Sequence, residues 1–216
     1  MSDLPIKPLW EDQGPFFRRL YNTWKESIFH PIRFFQNMPT DAGIGKPYLY
    51  FLITGFIGAL ANAIWMAPIY LIMFIPLAFT KAGWLPLVVI VGFLVAMVLA
   101  TPIISSVMIF ITAGLYHLSL MIFGGNKKGF EATFRSLAYA NGSASTGNLI
   151  PLFGNWAVFA GTIILTIIGF KESHQIPTGK AVLAYLVPLF LCTCIFTMAI
   201  IIPMLIFMSC MMALVH

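Results

Sequence analysis

Apolar and polar positions follow three different patterns along this chain. Between Pro15 and Met38 the apolar residues recur at helical spacing: Phe16, Leu20, Trp24 and Ile28 form a stripe with Phe17 and Tyr21 beside it, and Arg18, Arg19, Asn22, Lys25 and Glu26 take the other side. Pro15 suits the first turn of a helix. His30-Pro31 interrupts it, because the residue before a proline is pushed out of the helical region. Ile32, Phe34, Phe35 and Met38 continue the apolar face in a second short helix. The composition suits a segment lying in a membrane interface; the same aromatics would equally suit packing on the cytoplasmic end of a bundle.

From Tyr48 onward the stripe gives way to long uncharged runs. Residues 48–79, 85–123 and 181–213 each exceed the roughly 20 residues that cross about 30 Å of hydrocarbon. Pro68, Pro76, Pro102, Pro188 and Pro203 inside them predict kinks or bent continuations. Residues 155–170 form a more compact run. The third pattern, 130–150, is small and polar: Ala138, Ala140, Gly142, Ser143, Ala144, Ser145, Thr146 and Gly147 let neighbouring backbones approach closely. Glu131 and Arg135 precede them at i and i+4, acid ahead of base, the order that supports a helix. A helix so poor in Leu and Ile gains little from lipid, so it is expected at the centre of the bundle.

These patterns predict an all-α membrane protein with five transmembrane helices, the long ones kinked, and an N-terminal amphipathic helix pair. Residues 1–14 read as a mobile tail, 15–47 as cytoplasmic interfacial helices, and 48–216 as the membrane domain, with spans at about 48–79, 85–123, 130–150, 155–170 and 181–213. Charge supports this count. With the N-terminus cytoplasmic, eleven of the 12 basic residues fall inside and only Lys81 outside, the bias of cytoplasmic loops. If 130–150 does not cross, Lys171 and Lys180 move outside and the count drops to nine against three. No secretory leader is expected in the first 47 residues, so the first span is expected to direct insertion.

Composition then excludes classes of function. The chain is 60% hydrophobic and 9% charged, with mean hydropathy +0.92, far from the soluble mix. Its net charge of +5 sits beside spans, where it orients the protein and does not mark a nucleic-acid surface. Cys192, Cys194 and Cys210 share the last apolar run and support no disulfide framework. Cys192 and Cys194, two apart, point to different helix faces, so the neighbouring methionines read as packing and not as a Cu(I) site. Gly142-Ser143-Ala144-Ser145 lacks the Gly-x-Ser-x-Gly frame of a nucleophile elbow. No phosphate-binding loop, zinc signature or catalytic carboxylate pair occurs, and no cofactor or metal is expected.

Four pieces carry a family resemblance: His30-Pro31-Ile32-Arg33-Phe34-Phe35 with Met38; Tyr139-Ala140; Ile150-Pro151-Leu152-Phe153-Gly154; and the stretch from Gly169-Phe170-Lys171-Glu172-Ser173-His174 through Gly179-Lys180-Ala181. In this order around five spans they resemble the Yip1 domain family, from about Phe29 to the C-terminus. The resemblance implies a five-span membrane protein. Eukaryotic members are associated with Rab-type small GTPases, vesicle traffic and membrane shape, and carry an Asp-Leu-Tyr-Gly-Pro motif ahead of the spans. Here the nearest stretch is Glu11-Asp12-Gln13-Gly14-Pro15. That departure points to a bacterial member in the inner membrane, and the GTPase role is not carried over.

Three sets of residues are candidates for function. Asn62, His117, Asn141, Ser143, Ser145 and Asn148 are polar at membrane depth, where they either bond across helices or line a wet path. Phe16, Phe17, Leu20, Trp24, Ile28, Phe34 and Phe35 form the membrane-interface set. Lys171, Glu172 and His174 form a cytoplasmic docking loop. The reading is a non-enzymatic membrane protein that organises membrane shape or partner proteins, its partners being the bilayer and a protein partner or a second copy. The alternative is a small channel or transporter with a path along the polar third helix. Close dry packing there favours the first, and a continuous hydrated route the second.

Overall fold

The computed structural model describes residues 9–80 and 83–215. Among them there is no strand. Seven α-helices follow in order: α1 (Phe16–Phe29), α2 (Pro31–Gln36), α3 (Gly45–Phe74), α4 (Leu85–Ile122), α5 (Gly129–Ser145), α6 (Gly154–His174) and α7 (Thr178–Val215). Short 3-10 turns lie at Leu9–Glu11, Ile75–Phe79 and Thr146–Leu149. Four helices are long and apolar enough to cross a membrane: α3, α4 over Leu87–Ile122, α6, and α7 over Thr178–Ile195. Prolines 68, 102, 188 and 203 lie inside α3, α4 and α7, a placement membrane helices tolerate better than soluble ones.

α5 is the middle of the structure. Its 17 residues reach about 25 Å at 1.5 Å per residue, less than the hydrocarbon thickness. α1, α3, α4 and α6 enclose it, so that residues 132–140 and 142–144 are all buried. Small residues permit this. A Cβ on Gly142 would stand 2.8 Å from Thr54 Oγ1 and 3.1 Å from Phe51 Cα, and one on Gly58 of α3 would collide with the Ser145 carbonyl. On the opposite flank, a Cβ on Gly169 of α6 would come within 3.1 Å of Ser136 Cβ and 3.3 Å of the Phe35 ring.

Residue pairs along α3 and α5 advance together, Tyr50 with Tyr139, Thr54 with Gly142 and Gly58 with Ser145. The two helices are therefore parallel, and α5 stops where α3 still has four turns to run. Beyond that level α3 and α4 face each other across an apolar groove of about 450 Å³, between Phe56, Ile64 and Leu71 on one side and Ile90, Leu94 and Val98 on the other.

Two expectations need correction. Within the tail expected to be mobile, Trp10 is only 3% exposed; its backbone N–H donates to Thr23 Oγ1 (2.8 Å) and its indole N–H to the Lys46 carbonyl (2.8 Å). One large aromatic with two bonds anchors a segment whose other residues look like solvent-exposed chain; residues 1–8 lie outside the described part. The charged loop expected from residue 171 begins four residues later, because α6 continues to His174 and ends on Gln175 in the left-handed region (φ 52). Lys171 and His174 thus stand in a last helical turn, where basic groups complement the helix dipole.

The close approach of α3 to α5 gives a direct test. Gly58→Ala should destabilise by about 1–3 kcal/mol through overpacking, whereas Gly55→Ala on the same helix, with open space at its Cβ, should be neutral or slightly stabilising. Thermal unfolding of the two variants in detergent micelles separates them.

Candidate functional site

Four gatherings of polar residues inside the bundle stand out. The first is ionic. Arg135 on α5 is 0% exposed; its guanidinium pairs with the Glu11 carboxylate and donates to the Gly43 carbonyl. The Tyr139 hydroxyl donates to the same Glu11 oxygen (2.6 Å), and Lys46 Nζ donates to the Glu11 backbone carbonyl (2.5 Å). The local pair expected between Glu131 and Arg135 gives way to this one: Glu131 instead accepts the Gly43 N–H. Arg19 closes the outside, its guanidinium 5.2 Å from the Trp10 ring centroid and donating to the Trp10 and Asp12 carbonyls.

The second place joins α1 to the bundle. Ser27 and Ser143 hydroxyls lie 2.5 Å apart, and the Tyr50 hydroxyl lies 2.8 Å from Ser143. One turn along, the Trp24 indole donates to Thr146 Oγ1 (2.7 Å). Ser145 donates to its own helix at the Gly142 carbonyl (2.7 Å). Thr23 and Ser27, four apart, are the buried residues of α1. The stripe that meets the bundle most closely is therefore polar, and the aromatics flank it.

The third place is a pair of imidazoles bridged by a hydroxyl. His117 Nδ1 and His174 Nε2 stand 3.1 and 3.0 Å from Thr133 Oγ1. The Lys128 backbone N–H can only donate, so His174 Nδ1 accepts (3.3 Å) and its Nε2 carries the proton. Asn126 Oδ1 accepts the Gly129 N–H (3.0 Å), which turns its amide nitrogen toward His117 Nε2 (3.4 Å) and leaves the proton on His117 Nδ1. Thr133 then accepts from both rings and donates to the Gly129 carbonyl (3.4 Å). Every polar atom of the trio has a partner. His174 is fully buried, so it is not part of a docking surface, contrary to expectation. Glu172 accepts from Gln36 (2.8 Å) and pairs with Lys171 (2.8 Å), tying α2 to α6.

The fourth is a cavity of about 210 Å³ to which α3, α4, α5, α6 and α7 all contribute, with Asn141 in its wall. Asn62 and Asn148 lie elsewhere, around a crevice of about 10 Å³ that holds no more than about one water, and Asn62 also borders a separate groove of about 220 Å³ between α3 and α4. The six polar candidates thus divide among separate clusters. They do not line one route.

The interface residues divide too. Phe34 and Phe35 are buried, with Phe34 edge-on to Tyr139 (5.3 Å), and Leu20 and Ile28 pack half-buried beside them. Packing on the bundle accounts for these four, and a hydrogen bond for Trp24. Phe16 and Phe17 remain open, Phe17 at 81%, and Tyr21, Phe29 (63%) and Ile32 join them on the outer face. Among the described residues no group of three or more His, Cys, Asp or Glu could hold a metal.

Trp10, Glu11, Thr23, Ser27, Thr133 and Thr166 are important to these clusters and went unmarked in the sequence. For Thr23 and Ser27 a signal existed, small hydroxyls four apart on an otherwise aromatic helix.

Removing the Glu11 carboxylate leaves Arg135 buried without its counter-charge. Glu11→Ala should therefore destabilise by about 3–5 kcal/mol, and adding Arg135→Leu should restore part of the loss. Thermal unfolding of the single and double variants reads both effects.

A protein-family model described as Yip1 domain matches residues 25–213. No curated protein matches the chain, and no solved structure matches it.

Proposed function

The chain belongs to the Yip1 domain family, and from that premise we propose that it is a non-enzymatic integral membrane protein that organises the membrane around it or the partners gathered there. The observation that carries this reading is the outer face of α1 and α2. Phe17, Tyr21, Phe29 and Ile32 project from helices whose inner face is bonded to the core through Ser27, Trp24 and Gln36. Apolar side chains flanked by Arg18, Lys25 and Arg33 match an interfacial helix that meets acyl chains and anionic headgroups at once. Holding that face on a rigid base transmits insertion to the whole bundle.

The separation of the intramembrane polar residues into unconnected places supports this reading over a channel or transporter along α5. We further propose five crossings, with the N-terminus cytoplasmic and the protein in a bacterial inner membrane. The parallel course of α3 and α5, which a crossing by α4 between them requires, supports this, as does the eleven-to-one bias of basic residues that the sequence gives under this arrangement. The turn Thr146–Leu149 lengthens α5 toward a full crossing. A partner protein or second copy remains part of the proposal, with α1 and α2 as the contact face.

Phe17→Glu and Phe29→Glu should each reduce deformation of anionic liposomes by the reconstituted protein severalfold, with insertion and thermal stability unchanged. Equal deformation by wild type and both variants would remove the basis of the proposal. For topology, single cysteines at Asp41 and Gly83, on a background without the native ones, should react with an impermeant maleimide from opposite sides of the membrane. Labelling of both from one side overturns the five-span arrangement.

A further inference from the structure

The 210 Å³ cavity is separate from the outer face of α1 and α2 and has chemistry of its own. Ser105, Met108 and Thr112 lie on one face of α4 and line it from one side; Asn141 of α5 and Thr162 and Thr166 of α6 line it from the other. No charged side chain borders it. Thr166 is 0% exposed, and its hydroxyl has no hydrogen-bond partner. A buried hydroxyl left unpaired is destabilising. Its position in the wall makes it a built contact waiting for a polar atom.

The remaining polar atoms specify what that atom belongs to. Ser105 and Thr112 spend their protons on the Thr101 carbonyl (2.6 Å) and the Met108 carbonyl (2.8 Å), so both present lone pairs to the cavity. Asn141 bonds the Leu137 carbonyl through its nitrogen (2.9 Å), leaving its oxygen as another acceptor and its second N–H as a donor. Thr162 and the hydrogen-bonded Tyr116–Tyr185 pair add hydroxyls to the same wall. The wall therefore offers acceptors and donors together, which suits a ligand that carries a free hydroxyl beside ester oxygens. The absence of charge argues for a neutral one, since a phosphate here would be desolvated without a counter-ion. The volume holds several waters' worth of polar group but not a whole lipid. Met108 at the rim is 50% exposed, and Ile104 and Ile111 continue an open apolar surface from it along α4. A chain leaving the cavity there would lie on that surface.

We propose that this cavity binds the hydroxyl-bearing end of an uncharged glycerolipid, a diacylglycerol, with its acyl chains passing out beside Met108. Thr166 donates to a glycerol or ester oxygen, and the Asn141 oxygen accepts the free hydroxyl. The site would give a Yip1-domain bundle a lipid ligand selected by headgroup and not by charge, and it does not depend on the outer face of α1.

The test uses the whole protein in phosphatidylcholine nanodiscs with a diacylglycerol bearing a diazirine in one acyl chain, and the matching phosphatidic acid as comparator. Crosslinking by the diacylglycerol probe should map by peptide mass spectrometry to residues 102–116, exceed that of the phosphatidic acid at least fivefold, and be competed by unlabelled diacylglycerol but not by free glycerol. Thr166→Val and Asn141→Leu should each lower it at least fivefold, and Thr166→Ser should keep it, with thermal unfolding confirming that each variant is folded. If Asn141→Leu does not fold, Thr166→Val alone decides. Labelling indifferent to Thr166→Val, equal labelling by phosphatidic acid, or displacement by free glycerol overturns the assignment, leaving respectively unspecific lipid contact, a site blind to charge, or a cavity for small polar solutes.

Discussion

Among the described residues Arg135 is the one Lys or Arg fully enclosed by the bundle, and the arrangement of the end of the bundle that carries α1 and α2 follows from what neutralises it. A buried guanidinium without an anion costs several kcal/mol. The counter-charge comes from Glu11, 124 residues away and outside the family-matched region. To deliver it, the chain before α1 must fold back over the end of α5. Trp10 wedges beside Tyr50, at 6.0 Å between ring centroids, Arg19 covers Trp10, and Lys46 holds the Glu11 backbone. The Gly43 turn is fixed from two sides by Arg135 and Glu131, which sets where α3 begins. The start of the first long helix and the position of the amphipathic pair are therefore consequences of one charge pair.

Most of the helix layout was legible from hydrophobic runs. The spans expected at about 48–79, 85–123 and 155–170 correspond closely to α3 with its terminal turn, α4 and α6, because a long apolar run has few alternatives to a helix. The centrality of α5 was also legible, since small residues without Leu or Ile have reason only to face protein. What could not be read were partnerships over long sequence distance. Glu131 stands at the right spacing to meet Arg135, and nothing local says that Glu11 takes its place. Thr23 and Ser27 hide among aromatics, yet they are the buried stripe of α1, Ser27 against the Ser143 hydroxyl and Thr23 accepting the Trp10 N–H. His174 reads as loop because Ile176-Pro177-Thr178-Gly179 is full of breakers, while the helix before it continues to the bond with Lys128.

Several of the residues that carry the family resemblance turn out to be packing residues, while Ile32, Ile150, Leu152 and Phe153 of the same motifs are exposed. Phe35 lies against Gly169, Phe34 against Tyr139, and Ile176 and Ala181 are buried with Phe170 in one cluster. Histidine at 174 is held by backbone and hydroxyl partners on two other segments. Such positions hold the helices together, whereas the open aromatic face of α1 and the cavity beside Asn141 take no part in that packing.

α5 and α6 both turn near the level of Asn62 to Met66 on α3, while α3 itself continues to Phe74 and a further turn. The helix count therefore falls along the long axis of the molecule, from a crowded half with α1 and α2 attached to a sparser half where α5 and α6 have ended, α3 and α4 stand apart across their groove, and the 38-residue α7 runs on. Two neighbouring cross-sections of one molecule thus differ in what fills them: at the α1–α2 end the space between α3, α4 and α6 is taken up by α5, and past the Thr146–Leu149 turn the space between α3 and α4 is an open apolar groove.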